Sequence, residues 1–97
     1  MTDVMFGTHG WCFLTNHSHV LLAIHRNPEI RLKDLAAQVG ITPRATQRLI
    51  RDLEKAGVVS KERIGRNNRY LVNPAAQLSH QLEAGHSLGE LLALLDA

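Results

Sequence analysis

Five side chains with anion-binding chemistry recur at helical spacing in the middle of this 97-residue chain: Arg44, Gln47, Arg48, Arg51 and Lys55. Intervals of i, i+3, i+4, i+7 and i+11 set them on one face if residues 43–56 are helical. The arginine guanidinium is a planar fork that makes two parallel hydrogen bonds to a phosphate or a guanine edge, and a glutamine amide does the same for adenine. A merely solvated face mixes signs to gain i, i+4 pairs. This one holds no acid, although Asp52 and Glu54 lie in the same segment. A second basic patch follows at Arg66, Asn67, Asn68 and Arg69, with Lys61 and Arg63 on the arm leading in. Two more cations, Arg31 and Lys33, precede the helix.

Charge position carries more than charge total. The formal net charge is only +2, yet residues 31–72 hold ten basic side chains against four acids, while the flanks hold Arg26 against five acids. A cationic middle between acidic flanks is the pattern of an anion-binding module, with nucleic acid the natural polyanion.

The elements that must position these groups are legible in the apolar spacing. Asn16 is expected to cap a helix that runs to about residue 27, where Pro28 forbids continuation, with Val20, Leu21 and Ile24 inward. Leu22 points elsewhere. Ile30 and Arg31 read as an extended link. Leu32, Leu35, Ala36 and Val39 repeat at i, i+3, i+4, i+7, and Gly40 ends that short helix. Thr42 then caps, and Pro43 opens, the basic helix, whose buried stripe is Thr46, Leu49, Ile50 and Leu53. The Thr46 hydroxyl needs a carbonyl one turn back. Residues 58–64 and 69–72 read as strands around a tight turn formed by residues 65–68, giving a β-ribbon with a cationic tip that can reach a phosphate backbone or minor groove. Ser87 and Glu90 form a capping box ahead of a last helix that aligns Leu88, Leu91, Leu92 and Leu95, with Leu94 widening the stripe. The domain organisation is therefore a loose arm (1–14), a helix-turn-helix with hairpin (15–73) and a connection plus terminal helix (74–97). The fold class is mostly α with one small hairpin.

Other chemistry finds little footing. Aromatics are 4% of the chain, so the core must be aliphatic. The apolar run 20–24 falls far short of the ~20 residues a bilayer span needs, and the N-terminus lacks the basic and apolar regions of a signal peptide. The single cysteine, Cys12, cannot form an internal disulfide; with no nearby cation to lower its pKa it reads as buried and inert, and the setting as cytoplasmic. Six histidines invite a metal, but His17 and His19 would point ~200° apart on a helix. His9, Cys12, His80 and His86 show no demonstrable ligand spacing, so no metal or cofactor is expected and the histidines read as surface or capping groups. No phosphate loop, nucleophile elbow or zinc-protease motif occurs, and no enzyme is expected.

The run LKDLAAQVGITPRATQRLIRDLEKAGVVSKERIGRNNRYLV resembles the winged helix-turn-helix of small bacterial and archaeal transcription regulators, of the MarR and ArsR types. Ala36, Gly40, Leu49, Leu53, the segment 53–59 and the turn and return strand from Gly65 to Tyr70 carry the resemblance, which covers roughly residues 18–73. Two departures are Thr46, where an aliphatic is usual, and short length. The resemblance implies that the 43–56 helix enters a major groove of double-stranded DNA. Arg44, Gln47 and Arg48 would then read base edges and Arg51 and Lys55 hold phosphates. Thr42 and Pro43 would sit at the helix mouth, Lys61, Arg63, Arg66, Asn67, Asn68 and Arg69 in the wing contact, and Arg31 and Lys33 on flanking backbone. It further implies a homodimer through the outer leucines (Leu22, Leu88, Leu91, Leu92 and Leu95) and regulation by repression in preference to activation. The alternative is a winged helix that binds protein in place of DNA.

Overall fold

The computed structural model describes residues 11–96. The first helix, α1 (Asn16–Arg26), is capped by the Thr15 hydroxyl, which accepts from the Ser18 amide. Thr15 and not Asn16 is therefore the cap; Asn16 is already helical, and its side-chain oxygen meets His19 Nδ1 at 3.1 Å. Val20, Leu21, Ala23 and Ile24 turn inward. Pro28 follows the Asn27 cap, and Ile30 of the link enters the core.

Helix α2 (Leu32–Val39) buries Leu35 and Ala36 and ends at Gly40, whose φ of 87° is the left-handed conformation a glycine adopts without Cβ strain. Helix α3 (Pro43–Lys55) starts after Thr42, whose hydroxyl accepts from the Ala45 amide at 3.1 Å. Thr46, Leu49, Ile50 and Leu53 are its buried residues, as the spacing requires. Thr46 is wholly buried, and its hydroxyl donates to the Thr42 carbonyl at 2.8 Å. Helix α1 packs on both α2 and α3, and its cluster with Ile30, Val59 and Tyr70 forms the core.

The hairpin is tighter than the sequence suggests. Strands β1 (Val59–Ile64) and β2 (Asn67–Val72) pair antiparallel from Val59↔Val72 to Ile64↔Asn67. Only Gly65 and Arg66 remain in the turn, so Asn67, Asn68 and Arg69 are strand residues. A two-residue loop suits the twist of paired strands, and Gly65 supplies the positive φ it needs. On the other side of β2, the Tyr70 amide donates to the Pro28 carbonyl at 2.8 Å. This bond ties the hairpin to the link before α2.

After Asn73 the chain crosses to a 3₁₀ turn, Gln81–Glu83, capped by His80, and then to α4 (Leu88–Asp96). The capping box is present, with the Ser87 amide donating to Glu90 Oε1 at 2.8 Å and the Glu90 amide to Ser87 Oγ at 3.2 Å. Helix α4 is seated by the Leu88 amide on the Ala76 carbonyl and the Gly89 amide on the Pro74 carbonyl. A Cβ on Gly89 would stand 3.0 Å from that Pro74 oxygen, so a glycine lets the backbones approach.

Leu88 and Leu92 lie in the domain's own core, at 4% and 3% exposure. They are thus withdrawn from the surface proposed to hold a second copy, because a nine-residue helix is stable only when its apolar face is covered. Leu22, Leu91 and Leu95 are half-buried and Leu94 is exposed. Cys12 is exposed, contrary to expectation, and Phe13 beside it is 91% exposed. Residues 1–10 of the expected arm, His9 included, lie outside the described residues. No helix among the described residues is long and apolar enough to cross a membrane.

Candidate nucleic-acid interface

The face of α3 opposite its buried stripe presents Arg44, Gln47, Arg48, Arg51 and Lys55, all exposed. None of the four cations is ion-paired within the described residues. The two acids of α3 are disposed differently. At ~100° per residue they fall on opposite flanks of the basic stripe, and each meets a positive partner from another element. Asp52 Oδ2 stands 3.0 Å from His17 Nε2 of α1, and Glu54 Oε2 stands 3.9 Å from Lys61 Nζ of β1. The hydrogen bond from His17 holds the Asp52 carboxyl below its ordinary range, with the charges of His17, Lys55 and Arg48 acting the same way. Thr42 and Pro43 lie exposed at the N-terminal mouth of this face.

Register divides the hairpin's cations between its faces. Residues opposite one another share a side, so Lys61 and Arg63 stand with Tyr70 and Asn68, whereas Arg69 stands with Glu62. The side with Tyr70 turns toward α3. Leu32, Gln47, Ile50, Arg51, Glu54, Lys61, Asn68 and Tyr70 line the cleft between them, about 290 Å³ in volume. Tyr70 is buried, and that burial pushes its phenol above the usual range while a hydrogen bond from Asn68 opposes the shift.

Arg69 departs most from its expected place. It is not at the tip, and its guanidinium meets Glu29 Oε2 at 2.9 Å and Glu62 Oε1 at 3.8 Å. Arg63 folds back, its Nε donating to the Gly65 carbonyl at 3.1 Å. Arg66 at the turn is exposed and carries no ion pair among the described residues. It shares a second cleft with Arg31, Asn67 and Asn68, next to Glu29. Lys33 is exposed on the first turn of α2 and lines neither cleft.

The structure thus brings Arg31, Arg66 and Asn67 together in one cleft and Lys61 and Asn68 into the cleft beside α3, while Arg69 serves internal pairing. Sequence spacing missed the groups that hold these cations or acids in place: His17, Glu29, Glu54 and Tyr70. Their partners lie 35 and 40 residues away in the His17–Asp52 and Arg69–Glu29 cases, beyond any helical or strand period. Among the described residues His17, His25 and His86 meet carboxylates, His80 caps the 3₁₀ turn and His19 meets Asn16, and no group of three or more His, Cys, Asp or Glu there could hold a metal ion.

Two helices joined at a glycine-ended turn, the second basic and exposed, and a hairpin beside it define a winged helix-turn-helix. Residues 14–60 match the family model described as winged helix-turn-helix DNA-binding. A MarR family protein of Mycobacterium tuberculosis, solved in complex with salicylic acid, is 28% identical with a TM-score of 0.51, over 62% of this chain and 47% of that one. A second solved MarR family transcription regulator shares the fold at a TM-score of 0.53 and 16% identity, over 84% of this chain and 48% of that one. No curated protein matches the chain significantly. The chain has the winged helix-turn-helix fold of these MarR family proteins, and it spans about half the length of those two solved structures.

Proposed function

We propose that this protein binds double-stranded DNA sequence-specifically and regulates transcription, as a repressor. The observation that carries this is the α3 face: four cations without an ion pair among the described residues and a glutamine, with both acids of the helix drawn to its flanks and matched there. In this reading α3 lies in the major groove. Arg44, Gln47 and Arg48 contact base edges, Arg51 and Lys55 hold phosphates, and Thr42 and Pro43 sit against the backbone at the helix mouth. Arg66 and Asn67 reach the adjacent backbone or minor groove from the wing, with Arg31 and Lys33 on flanking phosphates. Lys61, Arg63 and Asn68 support the wing side of the groove. Occupancy of a promoter by such a module blocks transcription without a second activity, which favours repression.

A homodimer is part of the proposal. Its supporting surface is narrower than the leucine spacing implied: exposed Leu94 with half-buried Leu22, Leu91 and Leu95. A two-fold pair sets its reading helices ~34 Å apart on successive major grooves of a palindrome. Selection of bound sequences from random duplex DNA tests both parts at once. Recovery of an inverted repeat is expected. Recovery of no sequence, together with capture of a protein partner through the same face, would replace this reading with a protein-binding winged helix.

A further inference from the structure

We infer that Arg31 and Arg66 hold one and the same phosphate of a bound duplex, in the cleft between the hairpin turn and the start of α2. The inference rests on the DNA-binding reading above and narrows it, from separate contacts by wing and flank to a single shared anion site.

The cleft measures about 180 Å³, and Glu29, Arg31, Leu32, Arg66, Asn67 and Asn68 are among its lining residues. At ~30 Å³ per water it has room for one four-oxygen anion and little besides. Its two arginines come from different elements, and neither side chain has an ion pair or hydrogen bond among the described residues. A guanidinium is a planar fork whose paired N–H groups match two phosphate oxygens, so two forks enclose one phosphate from two sides.

The carboxylate on the wall does not oppose this. Glu29 is met at 2.9 Å by Arg69, which does not line the cleft, so the charges of Arg31 and Arg66 stand uncancelled there. The hairpin edge adds a donor. The Tyr70 amide leaves the ladder to reach the Pro28 carbonyl. By the two-residue period of a strand the Asn68 amide points to the same edge, away from β1. Helix α2 also begins at this wall, after Arg31 and without a side-chain hydrogen bond at its cap. That end by itself would be no site; it adds to the field of two converging arginines.

The test is a double-mutant cycle, read as affinity of the full chain for a labelled mixed-sequence duplex of about 24 base pairs, by fluorescence anisotropy at fixed ionic strength. Arg31→Ala and Arg66→Ala should each weaken binding about tenfold, as loss of a charged hydrogen bond does. The double variant should lose about the same tenfold, because one arginine alone no longer fixes the shared group; two independent contacts would lose about a hundredfold. Lys33, on the first turn of α2 but lining neither cleft, is the control: the losses of Lys33→Ala and Arg66→Ala should multiply. A second arm titrates the free protein with inorganic phosphate and follows amide NMR signals. Saturable shifts at Arg31, Asn67 and Asn68 are expected, and both single arginine variants should lose them. All three positions are exposed, so the variants should fold, which far-UV circular dichroism verifies.

Losses that multiply in the Arg31–Arg66 cycle would overturn the shared site although DNA binding stands. Equal coupling in the Lys33 cycle would overturn it too, because the coupling would then belong to the general field. Arginine-dependent phosphate shifts beside a multiplying cycle would assign the cleft to free phosphate in place of the duplex. If wild type does not bind the duplex, the DNA-binding reading itself fails.

Discussion

Arg69 on the second strand of the wing reaches Glu29 Oε2 at 2.9 Å, across 40 residues of sequence. The contact fastens the hairpin to the link before α2, alongside the backbone bond from the Tyr70 amide to the Pro28 carbonyl. It also removes Arg69 from the cations the wing can offer and leaves Arg66, at the turn, without an ion pair among the described residues.

The two arginines should therefore separate in assay. Arg66→Ala should weaken binding to all sequences and lower the salt slope of log K by about one, without changing stability. Arg69→Ala should leave the slope nearer to wild type and cost up to ~1 kcal/mol of stability, as an exposed pair does. Salt-dependent titration and urea denaturation distinguish them. Equal losses of slope would put Arg69 back on the DNA.

On α3 the contrast is between reading and holding. Arg48→Ala should relax preference at one base position, and Lys55→Ala should weaken all sequences alike. If a dimer neutralises about six phosphates, log K should fall with log salt at a slope near −5. A slope near zero across a panel of duplexes would identify the face as merely solvated.

The α3 N-terminus is held twice by one residue, since the Thr42 hydroxyl accepts from Ala45 and its carbonyl accepts from the Thr46 hydroxyl. Thr42→Ala should cost about 1 kcal/mol through loss of the cap. Thr46→Val should cost less than ~1 kcal/mol, because the Thr42 carbonyl still receives the Thr46 amide at 2.9 Å and the volume is kept. Thermal or urea unfolding checks both, and a larger loss for Thr46→Val would show that its hydroxyl is needed beyond this bond.

At the other end of the domain, the Ser87 backbone amide, then His86, holds the Glu90 carboxyl below its ordinary range. A carboxyl depressed in the folded state contributes stability above its unfolded pKa of ~4.3, and that contribution is lost as pH falls through the lower folded value. Glu90→Gln keeps an acceptor for the Ser87 amide but does not titrate. Its stability should therefore fall less steeply than wild type's below about pH 4.5 in a series of urea titrations. Parallel acid limbs would remove Glu90 from the account.

The leucines of α4 should divide by burial. Leu92→Ala should destabilise the fold by ~2–5 kcal/mol, as a buried leucine does. Leu94→Glu, at 71% exposure, should leave the monomer folded and abolish self-association in sedimentation or light scattering. A dimer that survives Leu94→Glu would have to use another surface.

Much of the local structure was legible because its causes are local. Helical spacing marked the buried stripe of α3, Thr42 and Pro43 marked its start, and Ser87 with Glu90 marked α4; each depends on residues within one or two turns. The same periodicity placed Arg44, Gln47, Arg48, Arg51 and Lys55 on one face. Near misses such as Thr15 for Asn16 arose where neighbouring residues have equal capping chemistry.

What spacing could not supply was which groups meet across the fold. The chain alone determined that a basic helix and a basic hairpin follow a short helix and a glycine turn. Only tertiary packing decided that Arg69 and Lys61 spend charge on Glu29, Glu62 and Glu54, that Asp52 faces His17, and that Leu88 and Leu92 belong to the core. The physical reason is range. Capping and amphipathic periodicity act within a few residues of backbone geometry, whereas ion pairing and burial depend on distances that exist only after the elements pack.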